Sequence, residues 1–145
     1  MPSSDDRSTP FHAFHFVIEI DGIQRAGFRE CSGLDSTSDV IQYREGNDPP
    51  ELRKLPGLNK YSNISLTWGA SSDTDLWKWR KQTVDGKTVR KNGSIVLLDE
   101  AGQEKVRWNF KMGWPMQWIG PSLNATATDV AIEKLVIAHE GVERQ

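Results

Sequence analysis

The chain has 145 residues, a formal net charge of -2, 37% hydrophobic residues, 26% charged residues and six tryptophans. Its length suits one domain with its own core, its mixed charge offers no basic block for gripping nucleic acid, and no apolar run reaches membrane-spanning length. The single cysteine, Cys31, excludes an internal disulfide and any multi-cysteine metal site, and fits a reducing cytoplasm.

Residues 1–10, MPSSDDRSTP, form a polar, acidic lead-in, expected to be flexible and unsuited to be a signal peptide or a membrane anchor. Phe14, Phe16, Ile18 and Ile20 alternate as one face of a strand, which Asp21-Gly22 turns into a hairpin partner over Ile23 to Cys31. Thr37 to Arg44 predicts a third strand. From Glu45 to Lys60 the chain reads as a long loop, because Pro49 and Pro50 cannot donate ladder hydrogen bonds and Pro56-Gly57 has the form of a turn. Ser62 to Trp68 follows as a strand with Ile64, Leu66 and Trp68 on one face.

One helix is expected over 73–84. Ser72 and Asp75 have capping-box spacing, Leu76, Trp79 or Arg80, and Thr83 follow helical spacing with Trp77 extending that face, and Asp85-Gly86 stops the run. The apolar face is narrow, so the helix belongs on a flank. Strands resume at Gly93 to Leu98, turn at Asp99 to Gly102, and return over Glu104 to Met112, where Val106, Trp108, Phe110 and Met112 alternate with polar residues. Gly113 reads as a bend into another strand, which Gly120-Pro121 ends. Asp129 to His139 fits both periods, but its β-branched content favours strand. The expectation is a mainly β protein with about seven or eight strands: a two-sheet β-sandwich or barrel with one peripheral α-helix.

The residues that carry chemistry do not gather. His12 and His15 lie three apart at the start of a strand and tend to opposite faces, so a metal site would need His139 or a carboxylate to complete it. Cys31 reads as a small buried hydrophobe rather than a nucleophile. Neither Ser32-Gly33 nor Gly113 sits in a phosphate-cradling pattern, and Glu133 with Glu140 is too common a pairing to mean glycoside chemistry. No catalytic residue, metal or cofactor is expected.

The long loop has another use. Arg44, Glu45, Asp48, Glu51, Arg53, Lys54 and Lys60 alternate in sign by cluster, and Leu52, Leu55 and Leu58 are more apolar surface than a solvated loop needs. An arm lying on a second copy of the chain would bury those leucines, at about 1.5–3 kcal/mol each, while the charges set register. A two-layer domain also leaves sheet edges open to pairing, and head-to-tail pairing makes rings or filaments. Trp108 reads as core; Trp114 and Trp118 fit either the core or an anchor between subunits.

These residues resemble a known family. Phe28-Arg-Glu-Cys-Ser-Gly-Leu34, Tyr43-Arg-Glu-Gly46, Lys54-Leu-Pro-Gly57, Tyr61-Ser-Asn63, Leu76-x-x-Trp79, Leu98-Asp-Glu-Ala-Gly102, Trp114-Pro-Met-Gln-Trp118, Val130-Ala-Ile-Glu-Lys-Leu135 and His139-Glu-Gly141 stand in the order seen in T4-like phage tail tube proteins. They are most similar to the inner tube (Hcp-like) proteins of phage-tail-like contractile injection systems. The resemblance covers roughly residues 11–142, read as one tail tube domain. It implies hexameric rings around a lumen, stacked into a tube inside a contractile sheath, with baseplate or initiator and terminating proteins as further partners and effector proteins or DNA as cargo. It implies assembly in the bacterial cytoplasm, an inter-ring role for the 44–60 loop, and positions near ring interfaces for His12 and Glu140-Gly141, with His139 a further interface candidate. The alternatives are a contractile phage tail tube that conducts DNA and, in a different class, a small monomeric ligand-binding β-barrel.

Overall fold

The computed structural model describes residues 15–25, 27–44, 46, 53–126 and 128–145. The lead-in, Phe14, His12 and, in the loop, Glu45, Asp48, Pro49, Pro50, Glu51 and Leu52 lie outside the described residues. Among the described residues, ten strands and one helix follow in the order β1 (Phe16–Ile20), β2 (Ile23–Arg25), β3 (Phe28–Ser32), β4 (Ser36–Tyr43), β5 (Arg53–Tyr61), β6 (Ile64–Gly69), α1 (Asp75–Val84), β7 (Lys91–Leu98), β8 (Glu104–Ile119), β9 (Ile132–Ala138) and β10 (Gly141–Arg144).

Eight strands form one antiparallel sheet in the order β2-β1-β7-β8-β9-β6-β3, with β10 also paired to β8. The sheet folds over itself at β8. The first half of that strand pairs with β7 and β10, and the second half pairs with β9. Between the halves Met112 takes a positive φ of 54°, a conformation uncommon for a side-chain-bearing residue, while its N–H donates to Asn92 Oδ1 at 3.0 Å. The expected bend at Gly113 is therefore real, but it is a kink within one strand of 16 residues. The two layers close on Ile18, Ile20, Ile95 and Phe110 from one side and Ile64, Leu66, Trp68, Leu135 and Ile137 from the other. The result is an open sandwich.

Helix α1 seals one flank. Leu76 and Trp79 are buried, Trp79 Nε1 donates to the Val89 carbonyl at 2.8 Å, and Arg80 Nη1 donates to the Pro115 carbonyl at 2.9 Å. The helix begins differently from the capping-box expectation. Thr74 is the N-cap and its side chain makes no cap bond; Asp73 Oδ1 accepts the Asp75 N–H at 3.0 Å instead. Gly86, at φ 80°, terminates it as expected.

Two strand expectations need correction. Ile23 to Cys31 is two strands: β2 closes a hairpin with β1, then Gly27 at φ 86° lets the chain cross to the other layer, where β3 pairs with β6. Residues 53–60 of the expected loop are strand. β5 pairs with β4 along its length as a separate two-stranded ribbon. Pro56 lies inside β5 opposite Val40, at a register shift; a bulge already interrupts the ladder there, so the missing N–H is tolerated.

The ribbon leaves the body through a tight junction. Gly33 has φ 94°, and a Cβ there would collide with the Asn63 carbonyl. Gly33→Ala combines a disfavoured φ with a backbone clash. It should lower stability by roughly 2–4 kcal/mol in urea unfolding followed by circular dichroism.

Candidate assembly interface

The β4–β5 ribbon is the feature of this structure that the body does not complete. Every residue of β4 is exposed, and in β5 all but Gly57 are exposed. Apolar side chains stand on both of its faces. Val40 is 61% exposed, Ile41 51%, Leu55 43% and Leu58 74%; Ile41 sits opposite Leu55, and Val40 opposite Pro56. Lys60 Nζ lies 3.1 Å from Asp39 Oδ1 and Ser38 Oγ donates to Asn59 Oδ1 at 2.7 Å, links that brace the ribbon across its strands. A two-stranded ribbon without a covering layer is marginal in water.

At its root the ribbon is held firmly. His139 Nδ1 accepts the Gly141 N–H at 3.1 Å, which leaves Nε2 to donate to the Ser62 carbonyl at 2.8 Å. The Tyr61 and His139 rings lie 5.9 Å apart, and the Ser62 N–H donates to the Asp35 carbonyl at 3.4 Å. These bonds tie the β9–β10 turn to the ribbon. Glu140 is exposed beside it, its N–H bonded to the Lys111 carbonyl at 3.0 Å.

Among the other expected residues, Arg44, Arg53, Lys54, Leu55 and Leu58 lie on or beside the ribbon and are exposed. Trp114 is half-buried opposite Ala138. Trp118 packs inside the chain: its ring is 5.4 Å from Trp68 and 5.2 Å from Trp77, both edge-on. Phe28 continues this row at 5.8 Å from Trp68, Arg25 lies over both Phe28 and Trp68, and Trp68 Nε1 donates to Glu133 Oε2 at 2.9 Å. Val40 and Ile41, exposed here, are not among the residues expected from the sequence to lie at an interface. The available signal was apolar residues on both faces of one strand, which a half-buried strand does not carry.

No three His, Cys, Asp or Glu side chains converge as metal ligands among the described residues, and none of the described helices is long and apolar enough to cross a membrane. Burial, with the neighbouring Glu30 charge, pushes the Cys31 thiol up to about 12, so at neutral pH it holds its proton and is a poor nucleophile.

Residues 12–143 match the family model for the T4-like virus tail tube protein gp19. The chain belongs to that family. This tail tube protein is similar to a chain of the PVC extracellular contractile injection system, in its sheath–tube complex in the extended state. Identity is 26%, coverage 100% of this chain and 99% of that chain, and TM-score 0.86. A chain in the tube-terminating cap of the anti-feeding prophage is 26% identical over 94% of this chain and 91% of that one, at TM-score 0.82. Hcp1 from Flavobacterium johnsoniae shares the fold at TM-score 0.54 and 12% identity, over 89% of this chain and 93% of that chain. No curated protein matches the chain.

Two measurements check this tail tube protein's side-chain assignments. Trp118→Ala removes the ring between Trp68 and Trp77 and should cost about 3–5 kcal/mol of unfolding free energy in the isolated subunit, with loss of near-ultraviolet dichroism. Cys31 should stay unreactive toward a thiol-disulfide reagent at pH 8 in the native protein and react completely once urea unfolds it.

Proposed function

We propose that the chain is the repeating subunit of the inner tube of a contractile injection system. Hexameric rings of it stack into a hollow tube, a surrounding sheath contracts, and the tube is driven through a target envelope with effector proteins or DNA in its lumen. Its contribution is structural: stiffness and an open channel, with no bond made or broken. Sheath, baseplate or initiator, and terminating proteins are its partners. It is assembled in the bacterial cytoplasm and then resides in the particle. Similarity to chains of an extracellular injection system and of a prophage-derived particle favours this setting over a DNA-conducting phage tail.

The observation that carries the reading is the uncovered ribbon. Val40, Ile41, Leu55 and Leu58 are exposed in the single chain, and covering each contributes about 1.5–3 kcal/mol. Four such side chains on one protruding element are a docking arm. The charges around them align the arm and add little, since exposed pairs give about 0–1 kcal/mol each. Arg44, Arg53, Lys54, Leu55 and Leu58, together with Glu45, Asp48, Glu51 and Leu52, are assigned to this inter-ring contact. Trp114, His139 and Glu140 are assigned to nearby ring contacts. Trp118 acts one step back, by fixing the layer on which those contacts stand.

A monomeric ligand-binding barrel would need its ribbon covered by its own body, which is not the arrangement found. Leu55→Asp combined with Leu58→Asp should abolish tube growth from a purified initiator while leaving the circular dichroism spectrum and melting temperature of the subunit unchanged. Normal tubes by negative-stain microscopy would overturn the arm assignment.

A further inference from the structure

Two hydrogen bonds at His139 agree on one state of its ring. The Gly141 N–H donates to Nδ1 at 3.1 Å, so Nδ1 carries no proton. Nε2 stands 2.8 Å from the Ser62 carbonyl oxygen, which can only accept, so Nε2 carries one. Together they select the neutral ring with its proton on Nε2. An imidazolium has a proton on both nitrogens. It keeps the bond to Ser62 but loses the one to Gly141, where two N–H groups would point at each other.

The two partners belong to different parts of the fold. Gly141 is buried and opens β10, which pairs with β8 through Gly141–Lys111 and Val142–Phe110. Ser62 follows directly on β5, and its N–H reaches the Asp35 carbonyl on the other side of the ribbon's foot. The ring lies between the Tyr61 ring at 5.9 Å and the Phe110 ring at 6.2 Å. A Cβ on Gly141 would stand 3.1 Å from Lys111 Cε and 3.8 Å from Tyr61 Cε2, so the Lys111 stem and the Tyr61 ring close around the turn. The ionisable groups on the elements around the ring are Lys60 and Tyr61 of β5, Asp35 before β4, Lys111 of β8, and Glu140 and Glu143 in the turn and β10. Both bonds of the ring run to backbone groups, which do not titrate. The ring's own proton therefore makes or breaks the bond to Gly141.

We propose that His139 is a proton-operated latch: the neutral ring holds the start of β10 to the foot of the ribbon, and the imidazolium releases the β9–β10 turn. Because Nδ1 must be free of a proton, the latch is closed at the alkaline side of the histidine range, roughly pH 5–8. It opens as the pH falls through that range. The Ser62 bond becomes charge-assisted in acid and persists, so opening is confined to Gly141 and the first residues of β10. These bonds lie within one chain, so the latch is independent of how the ribbon docks.

The test is a nuclear magnetic resonance titration of the nitrogen-15-labelled, full-length subunit. At pH 7.5 the His139 nitrogens should show Nδ1 bare and Nε2 protonated. Between pH 7.5 and pH 5 the Gly141 amide should shift with the same midpoint as the ring nitrogens. Its protection from hydrogen exchange, corrected for the intrinsic effect of pH, should fall at least tenfold, while the amides of β6 and β9 keep theirs. A proton on Nδ1 at pH 7.5, a ring that stays neutral down to pH 5, or Gly141 protection that survives protonation of the ring overturns the latch. In His139→Asn the carboxamide oxygen accepts the same bond two residues on and does not titrate. The acid-induced loss at Gly141 should then disappear; a loss as large as in the unsubstituted protein overturns the assignment to His139.

Discussion

Strand β8 is the constraint on which the rest of the fold depends. It runs unbroken from Glu104 to Ile119 and hydrogen-bonds to β7, β10 and β9 in turn. The kink at Met112 rotates its second half so that one strand serves both layers, and the Pro115 carbonyl in that half receives Arg80 from the helix. Phe110, just before the kink, fills the space beside Gly93 and Gly113; a Cβ at Gly93 would stand 2.5 Å from Phe110 Cζ, and one at Gly113 2.7 Å from Phe110 Cε2. Both glycines therefore secure close packing of a large ring where the sheet doubles over.

With that frame fixed, the aromatic row on the second layer has one place to go. Phe28, Trp68, Trp118 and Trp77 meet edge to face, an arrangement that suits the ring quadrupoles. The row reaches from β3 across β6 and β8 to the helix, so four elements are coupled by side chains as well as by backbone ladders. The body is thereby completed using most of its large apolar residues. The ribbon keeps its own apolar side chains uncovered, so they contribute little to the folding of the subunit itself.

Much of this was legible in the sequence. Alternation located β1, β4, β6, β7 and the first half of β8, and the Leu76–Trp79 spacing with Gly86 located the helix. The ordered motifs also gave the family. Other features were hidden for physical reasons. Pro56 reads as a turn unless a bulge is known to lie opposite it, and that bulge is a property of the paired strand. Gly113 reads as a strand end because the partner exchange along β8 involves residues far away in the chain. The packing of Trp118 between Trp68 and Trp77 joins residues of β6, β8 and the helix, which no local pattern brings together. The two ring nitrogens of His139 bond within the chain because Ser62 and Gly141 converge there, a meeting no local pattern encodes.

The junction at Gly33, Asn63, Ser62 and His139 has a consequence for shape. A ribbon clamped at its base projects at a fixed angle, and under the proposed arm assignment each added layer would take that angle from the one below. Small angular deviations would accumulate along a stack instead of averaging out. Under the proposed arm assignment, the straightness and helical pitch of a long tube would be governed by a handful of atoms at the foot of the ribbon, next to the fully buried Ile64.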